Sequence, residues 1–226
     1  MDSQDTEQQA MSSEQSESNV KLAQSTHTIV SEDLRWMMLE RNQLPPDLAG
    51  FEMLNERELS NDVMAERGQR NRTADDLRGL GRIGGYLRQF AVPQGAPTLA
   101  EEPAEILEAA TVAHLFEQPD QVRHWIDEVF VREFLERVGK EEGNGQRVLG
   151  VEPLDARGFS DYAAGLLVVH EIPGGVLAST IMDFQVGRLL GVAYVVSKRD
   201  QSYGDLTRDL GVRLEQQIVR VVLGAA

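Results

Sequence analysis

The sequence predicts an α+β fold in which an antiparallel sheet of about five to seven strands packs against a long central helix and a C-terminal helix. Three observations lead there. Residues 147–197 form four β-rich runs parted by short turns. Pro119 to Val138 carries the apolar spacing of a helix. Asp205 to Leu223 repeats Leu206, Leu210, Leu214, Ile218 and Val222 every four residues, an amphipathic stripe suited to lie on a sheet.

The chain has 226 residues, enough for one or two domains. From Met1 to Val20 it is rich in Ser, Gln, Glu and Asp with scarcely an aliphatic side chain, so little apolar surface is there to offset the entropy of ordering the backbone. Residues 1–30 are therefore expected as a disordered acidic tail that adds nothing to the core. Residues 31–226 are expected as a single α+β domain.

Within that domain, Ser31-Glu32-Asp33-Leu34 opens a short helical pattern that Pro45-Pro46 stops, since proline cannot continue a helix. Phe51 to Leu59 alternates weakly. Ser60-Asn61-Asp62 then reads as the cap of a short polar helix ending near Gly68, and Thr73 as the cap of another before Gly79 and Gly81. Arg82 to Val92 alternates as a strand does, with Tyr86, Arg88, Phe90 and Val92 on one face and Ile83, Leu87 and Ala91 on the other. Pro93 to Pro103 is a loop. Glu105 to Phe116 suits a helix by its Ala, Leu and Glu content and a strand by the period-two placement of Ile106, Ala110, Val112 and Phe116; we take it as a strand.

The long helix has Pro119 at its first position and apolar residues at Val122, Trp125, Ile126, Val129, Phe130, Phe134 and Val138, with Gly139 closing it. The β-rich runs are Arg147–Leu154, Phe159–Glu171, Val176–Val186 and Leu189–Ser197. Separators as short as Gly187-Arg188 imply a meander of antiparallel hairpins.

Composition excludes several functions. A formal charge of −15 and the lack of a basic stripe leave nothing to replace counterions along phosphates, so no nucleic-acid partner is expected. The chain has no cysteine, hence no disulfide, no thiolate nucleophile and no Cys-ligated zinc. No apolar run reaches the ~18 residues of a membrane span. The N-terminus has no basic segment followed by an apolar one, the mark of a signal peptide. A Ser/Gln/Glu-rich tail often follows the processing site of an exported protein, so an extracytoplasmic location is expected if a targeting segment is missing here and a cytoplasmic one otherwise.

The motifs that hint at chemistry fail on context. His27, His114, His124 and His170 are not spaced as a metal pair, and His170-Glu171-Ile172-Pro173-Gly174 lacks the second histidine of a zinc-protease helix. Gly158-Phe159-Ser160-Asp161-Tyr162 has Tyr where a nucleophile elbow needs Gly. Gly81-Arg82-Ile83-Gly84-Gly85 precedes a strand rather than a helix N-terminus, so its glycines serve a bend or close packing instead of a phosphate. Asp155, Asp161, Glu171 and Asp183 could meet across neighbouring strands, though solvated carboxylates are the ordinary case. Asn71-Arg72-Thr73 matches a glycosylation acceptor and marks an exposed loop. No catalytic residue, metal site or cofactor is assigned. The candidate ligand-binding residues are Tyr86, Arg88, Tyr162, His170 and Tyr194, amphipathic side chains that strands can present at the mouth of a cleft.

Leu44-Pro45-Pro46-Asp47-Leu48 ahead of the Phe51 segment, Gly81 to Phe90, the helix at Pro119, and the strand Gly191 to Ser197 leading into the Asp205 helix together resemble exported bacterial domains of the PsbP-like fold, including lipoprotein and kinase-sensor domains. The resemblance spans most of residues 31–226 and lies in layout and short phrases. It implies a non-catalytic sensor, ligand-binding or assembly module. Sensor-type members commonly carry disulfides, and this chain departs from them there.

Three readings follow. The first is a non-catalytic ligand-binding or sensor-like domain with its small-molecule ligand between the sheet and the Pro119 to Val138 helix. The second is a protein-interaction or assembly subunit, which predicts an exposed apolar patch around Val176 to Tyr194 and self-association as a homo-oligomer. The third is a hydrolase-like enzyme, which requires at least two of Asp161, His170, Glu171 and Asp183 to converge in one cleft.

Overall fold

The computed structural model describes residues 20–67, 72–93, 105–142, 146–198 and 200–225. One antiparallel sheet runs through the molecule. Its strands are β1 (Glu52–Glu58), β2 (Arg82–Ala91), β3 (Ile106–Phe116), β4 (Glu141–Glu142), β5 (Gln146–Leu154), β6 (Ala163–Ile172), β7 (Gly175–Val186) and β8 (Leu189–Lys198). Their spatial order is β1-β2-β3-β8-β7-β6-β5-β4. Seven strands are long, and β4 adds a two-residue edge to them. The meander β5 to β8 is as expected, and it returns β8 to the side of β3, so these two neighbouring strands come from distant parts of the chain.

Period two along these strands gives the sheet two apolar faces, each covered over the central strands and more open toward the edge strands β1 and β5. On one face, Phe184 and Val186 of β7 and Leu189, Ala193 and Val195 of β8 pack against Leu210, Leu214 and Ile218 of the C-terminal helix α4 (Gly204–Val222). Short 3-10 turns at Ser31–Met37, Arg41–Gln43 and Pro46–Leu48 cover the rest of it, burying Leu34, Met37, Leu39 and Leu48. On the other face lie α1 (Asn61–Arg67), α2 (Ala74–Gly79) and the long helical segment α3, which runs Pro119–His124, Trp125–Arg132 and Glu133–Glu136. Here Val122, Ile126, Val129 and Phe130 of α3 meet Leu166 and Val168 of β6 and Leu190 of β8. The three layers are therefore helix, sheet and helix.

Local chemistry sets the ends. Thr73 caps α2 as expected: its hydroxyl accepts from the Asp76 N–H at 3.1 Å while its own N–H donates to the Asp76 carboxylate at 2.8 Å. Gly81 sits at φ +78, a left-handed conformation that a side chain resists, and so ends α2 and starts β2.

Two boundaries move. The strand expected from Phe159 begins at Ala163. Residues 159–160 are taken up by α4 instead: the Phe159 ring stacks on Phe184 at 4.7 Å between centroids, and Ser160 donates to Glu215 from its N–H (2.9 Å) and hydroxyl (2.6 Å). The expected tail also shortens from its inner end. Residues 1–19 lie outside the described part, but residues 20–25 are helical, Thr26–Thr28 form a 3-10 turn, and Ile29 belongs to the core. The reason lies far along the chain. Arg188, in the β7–β8 turn, donates to the carbonyls of Thr26 (2.9 Å), Ile29 (2.6 Å) and Phe116 (3.0 Å), fastening the early segment to the sheet.

Candidate functional site

A cavity of about 370 Å³ lies between α3 and the sheet. Its floor is β7 and β8, through Ile181, Asp183, Val192 and Tyr194. Its roof is α3, through Trp125, Phe130 and Phe134, with Arg137 at the helix end. Met64 of α1, Leu77 of α2 and Arg72 just ahead of α2 close the remaining side.

The roof depends on an unusual stretch of helix. At 3.6 residues per turn, positions five apart diverge by about 140°, so Trp125 and Phe130 would face different ways on an α-helix. Residues Trp125–Arg132 are instead π-helical, and the Glu133 N–H reaches back to the Glu128 carbonyl five residues earlier. The wider turn brings residues five apart nearly above one another. Trp125, Phe130 and Phe134 consequently line a single space, with Phe130 and Phe134 edge to face at 5.9 Å.

The polar groups of the site are few. Tyr194 presents its ring to the cavity while its hydroxyl donates to Glu108 at 2.9 Å and accepts from Gln89 at 3.1 Å. Burial, and then the Glu108 charge, push the phenol pKa up, so it stays protonated. Arg72 is ion-paired with Glu133 of α3. Asp183 is 3% exposed and engaged within the protein.

Beside Trp125 lies a buried cationic cluster. Arg82, 1% exposed, donates to Asn61 Oδ1 (2.6 Å), the Leu59 carbonyl (2.7 Å) and His114 Nδ1 (2.9 Å). Since guanidinium can only donate, His114 is neutral with its proton on Nε2. Burial first, and the Arg82 charge second, hold the His114 pKa well below 6.5. Burial alone lowers Arg82 to about 10. Gly85 makes the cluster possible, because a Cβ there would stand 2.4 Å from His114 Nδ1 and 2.7 Å from the guanidinium. The sequence pointed to close packing at these glycines but not to the pair that they admit.

Of the five residues proposed from sequence, Tyr194 lines the cavity and four lie elsewhere. Tyr86 and Arg88 are on the opposite face: Tyr86 packs into the α4-side core, and Arg88 donates to the Leu39 carbonyl (3.2 Å), Glu40 (2.6 Å) and Glu56 (2.8 Å). Parity along β2 separates them from Leu87, which faces the α3 side. Tyr162 shares the α3 face but hydrogen-bonds Asp127 on the outer side of that helix, with Arg123 over its ring at 4.5 Å. His170 pairs with Val148 and Leu177 near the β6–β7 turn.

The carboxylates are dispersed as well. Asp155 is held by Arg157, Asp161 by Arg123 at 3.7 Å, and Glu171 is exposed, so only Asp183 of these lines the cavity. Ser160 faces Glu215 with no histidine between them. Asn71 lies outside the described residues. Among the described residues, no group of three His, Asp or Glu is placed to hold a metal, and no helix is long and apolar enough to cross a membrane.

The fold and cavity define an α+β domain with an antiparallel sheet between helical layers and an aromatic-walled cavity beneath α3. Comparison with known proteins matched no family model and no curated protein. Among solved structures, the chain is similar to the extracellular domain of PknH from Mycobacterium tuberculosis, with a TM-score of 0.56 and 8% identity over 84% of this chain and 96% of that one. At that identity the likeness is one of fold.

Proposed function

We propose that this chain is a non-catalytic ligand-binding or sensor-like domain, and that its small-molecule ligand occupies the cavity between α3 and the sheet. The observation that carries the reading is the cavity itself. A fully packed sheet–helix interface would exclude the reading, whereas about 370 Å³ lined mainly by Trp125, Phe130, Phe134, Ile181 and Val192 is the size and character of a small-molecule site. The likeness of fold to an extracellular domain, that of PknH, is in keeping with the resemblance to exported domains and supports an extracytoplasmic location.

The assembly reading loses its main expectation. No residue from Val176 to Tyr194 is exposed, because α4 and α3 cover both faces of those strands. The enzyme reading needed two of four named groups in one cleft, and the cavity receives Asp183 alone.

An uncharged fluorophore, N-phenyl-1-naphthylamine, tests the proposal. In a Trp36→Phe background, Trp125 is the one tryptophan left, and saturable energy transfer from it at one probe per chain is expected. Ile181→Phe, which fills the floor, should abolish that transfer. Absent saturation, or transfer unchanged by Ile181→Phe, would refute the proposal.

A further inference from the structure

From the charge placement in this cavity we infer that its ligand is a single-chain apolar molecule ending in a carboxylate, and that the carboxylate takes the place of Glu133 on Arg72. The inference rests on the ligand-binding reading and names the chemistry of that ligand. At roughly 30 Å³ per water- or methylene-sized group, a cavity of about 370 Å³ holds on the order of a dozen such groups. That is room for one alkyl chain.

The head group follows from what can move. Arg72 and Arg137 line the cavity with one carboxylate, Asp183; Arg72 is ion-paired with Glu133 of α3, and Arg137 is engaged within the protein. Asp183 is nearly buried and already engaged within the protein; a cationic ligand would have to break that arrangement where water cannot compensate. The Arg72–Glu133 pair differs. Its side chains are 21% and 27% exposed, so Glu133 can turn outward and be hydrated while an incoming carboxylate takes its place. One anion then exchanges for another on the same planar donor, and no buried charge is left alone. The chain as a whole carries −15, so selection for an anion has to come from these guanidiniums at short range.

The test displaces N-phenyl-1-naphthylamine from the full chain with decanoate, 1-decanol and decylamine, three ligands of one chain length and different head groups. Decanoate is expected to displace the probe at on the order of tenfold lower concentration than decanol, as a charge-assisted hydrogen bond implies. Arg72→Met should bring the two together, and Glu133→Gln, which removes the competing anion, should widen the gap. Equal displacement by decanol, preference for decylamine, or a decanoate preference that survives Arg72→Met or does not grow in Glu133→Gln would each overturn the assignment. Failure of the fluorophore itself to bind would instead strike the ligand-binding reading beneath it.

Discussion

His114 makes the stability of this domain sensitive to acid, and the size of the effect follows from its surroundings. The ring accepts a hydrogen bond from Arg82 at 2.9 Å, packs 6.2 Å from Trp125, and has no carboxylate among the groups that shift it. Its folded-state pKa lies well below 6.5, whereas in the unfolded chain it titrates near 6.5. A depressed pKa on a base means that the unfolded state binds the proton more readily. The contribution is therefore fully present above about pH 6.5 and is lost as pH falls, by about 1.4 kcal/mol per pH unit until the folded-state pKa is reached. His114→Gln keeps an acceptor for Arg82 and removes the titration. Urea unfolding followed by tryptophan fluorescence, at pH values from about 7 down to about 4.5, should show wild type losing up to about 3 kcal/mol relative to the variant. Parallel loss in both proteins would refute the account of the buried Arg82–His114 pair.

Other perturbations follow from single contacts. Gly211 on α4 faces the Phe159 ring, which a Cβ would approach to 2.8 Å; Gly211→Leu should cost about 1–3 kcal/mol in denaturant unfolding, as overpacking does. Arg188→Met strips donors from the carbonyls of Thr26, Ile29 and Phe116. It should lower stability by about 2 kcal/mol or more and accelerate amide exchange across residues 26–29, and unchanged exchange there would show that the arginine does not hold the segment. Phe130→Ala removes a buried part of the cavity roof; it should cost about 3–5 kcal/mol and weaken binding of the naphthylamine probe.

What could be read from the residues was whatever short-range pattern encodes. The alternation through β5 to β8 and the four-residue repeat of α4 gave the layers, and Ile106, Ala110, Val112 and Phe116 gave a strand where Ala and Glu content favoured helix. Burial on the sheet outweighed propensity there. The outer part of the molecule was less legible, because its partners are remote in sequence. Ile29 and Thr26 look like the end of a polar tail until Arg188, some 160 residues later, reaches their carbonyls. Phe159 extends an apolar run on paper, yet Gly211 offers its ring a better place than a strand does.

The site was legible only in part for a similar reason. Tyr194 on β8 and the long helix follow from pattern, and the cavity lies between that helix and the sheet, where the sequence led us to expect a ligand. Sequence parity also separates Arg88 from Leu87, which is enough to keep Tyr86 and Arg88 off the cavity face once that face is known. The π-helical turns that align Trp125 with Phe130 carry no signal in an α-helical apolar pattern. Arg82 and His114, each unremarkable in sequence, meet only because Gly85 leaves space between β2 and β3.

The central claim is that the space beneath α3 holds a small apolar molecule. Native mass spectrometry of the chain purified gently from its own organism, beside the Ile181→Phe variant prepared in the same way, tests it most directly. The account predicts one retained small-molecule mass on the wild-type chain and none on the variant; two bare chains, or the same adduct on both, would contradict it.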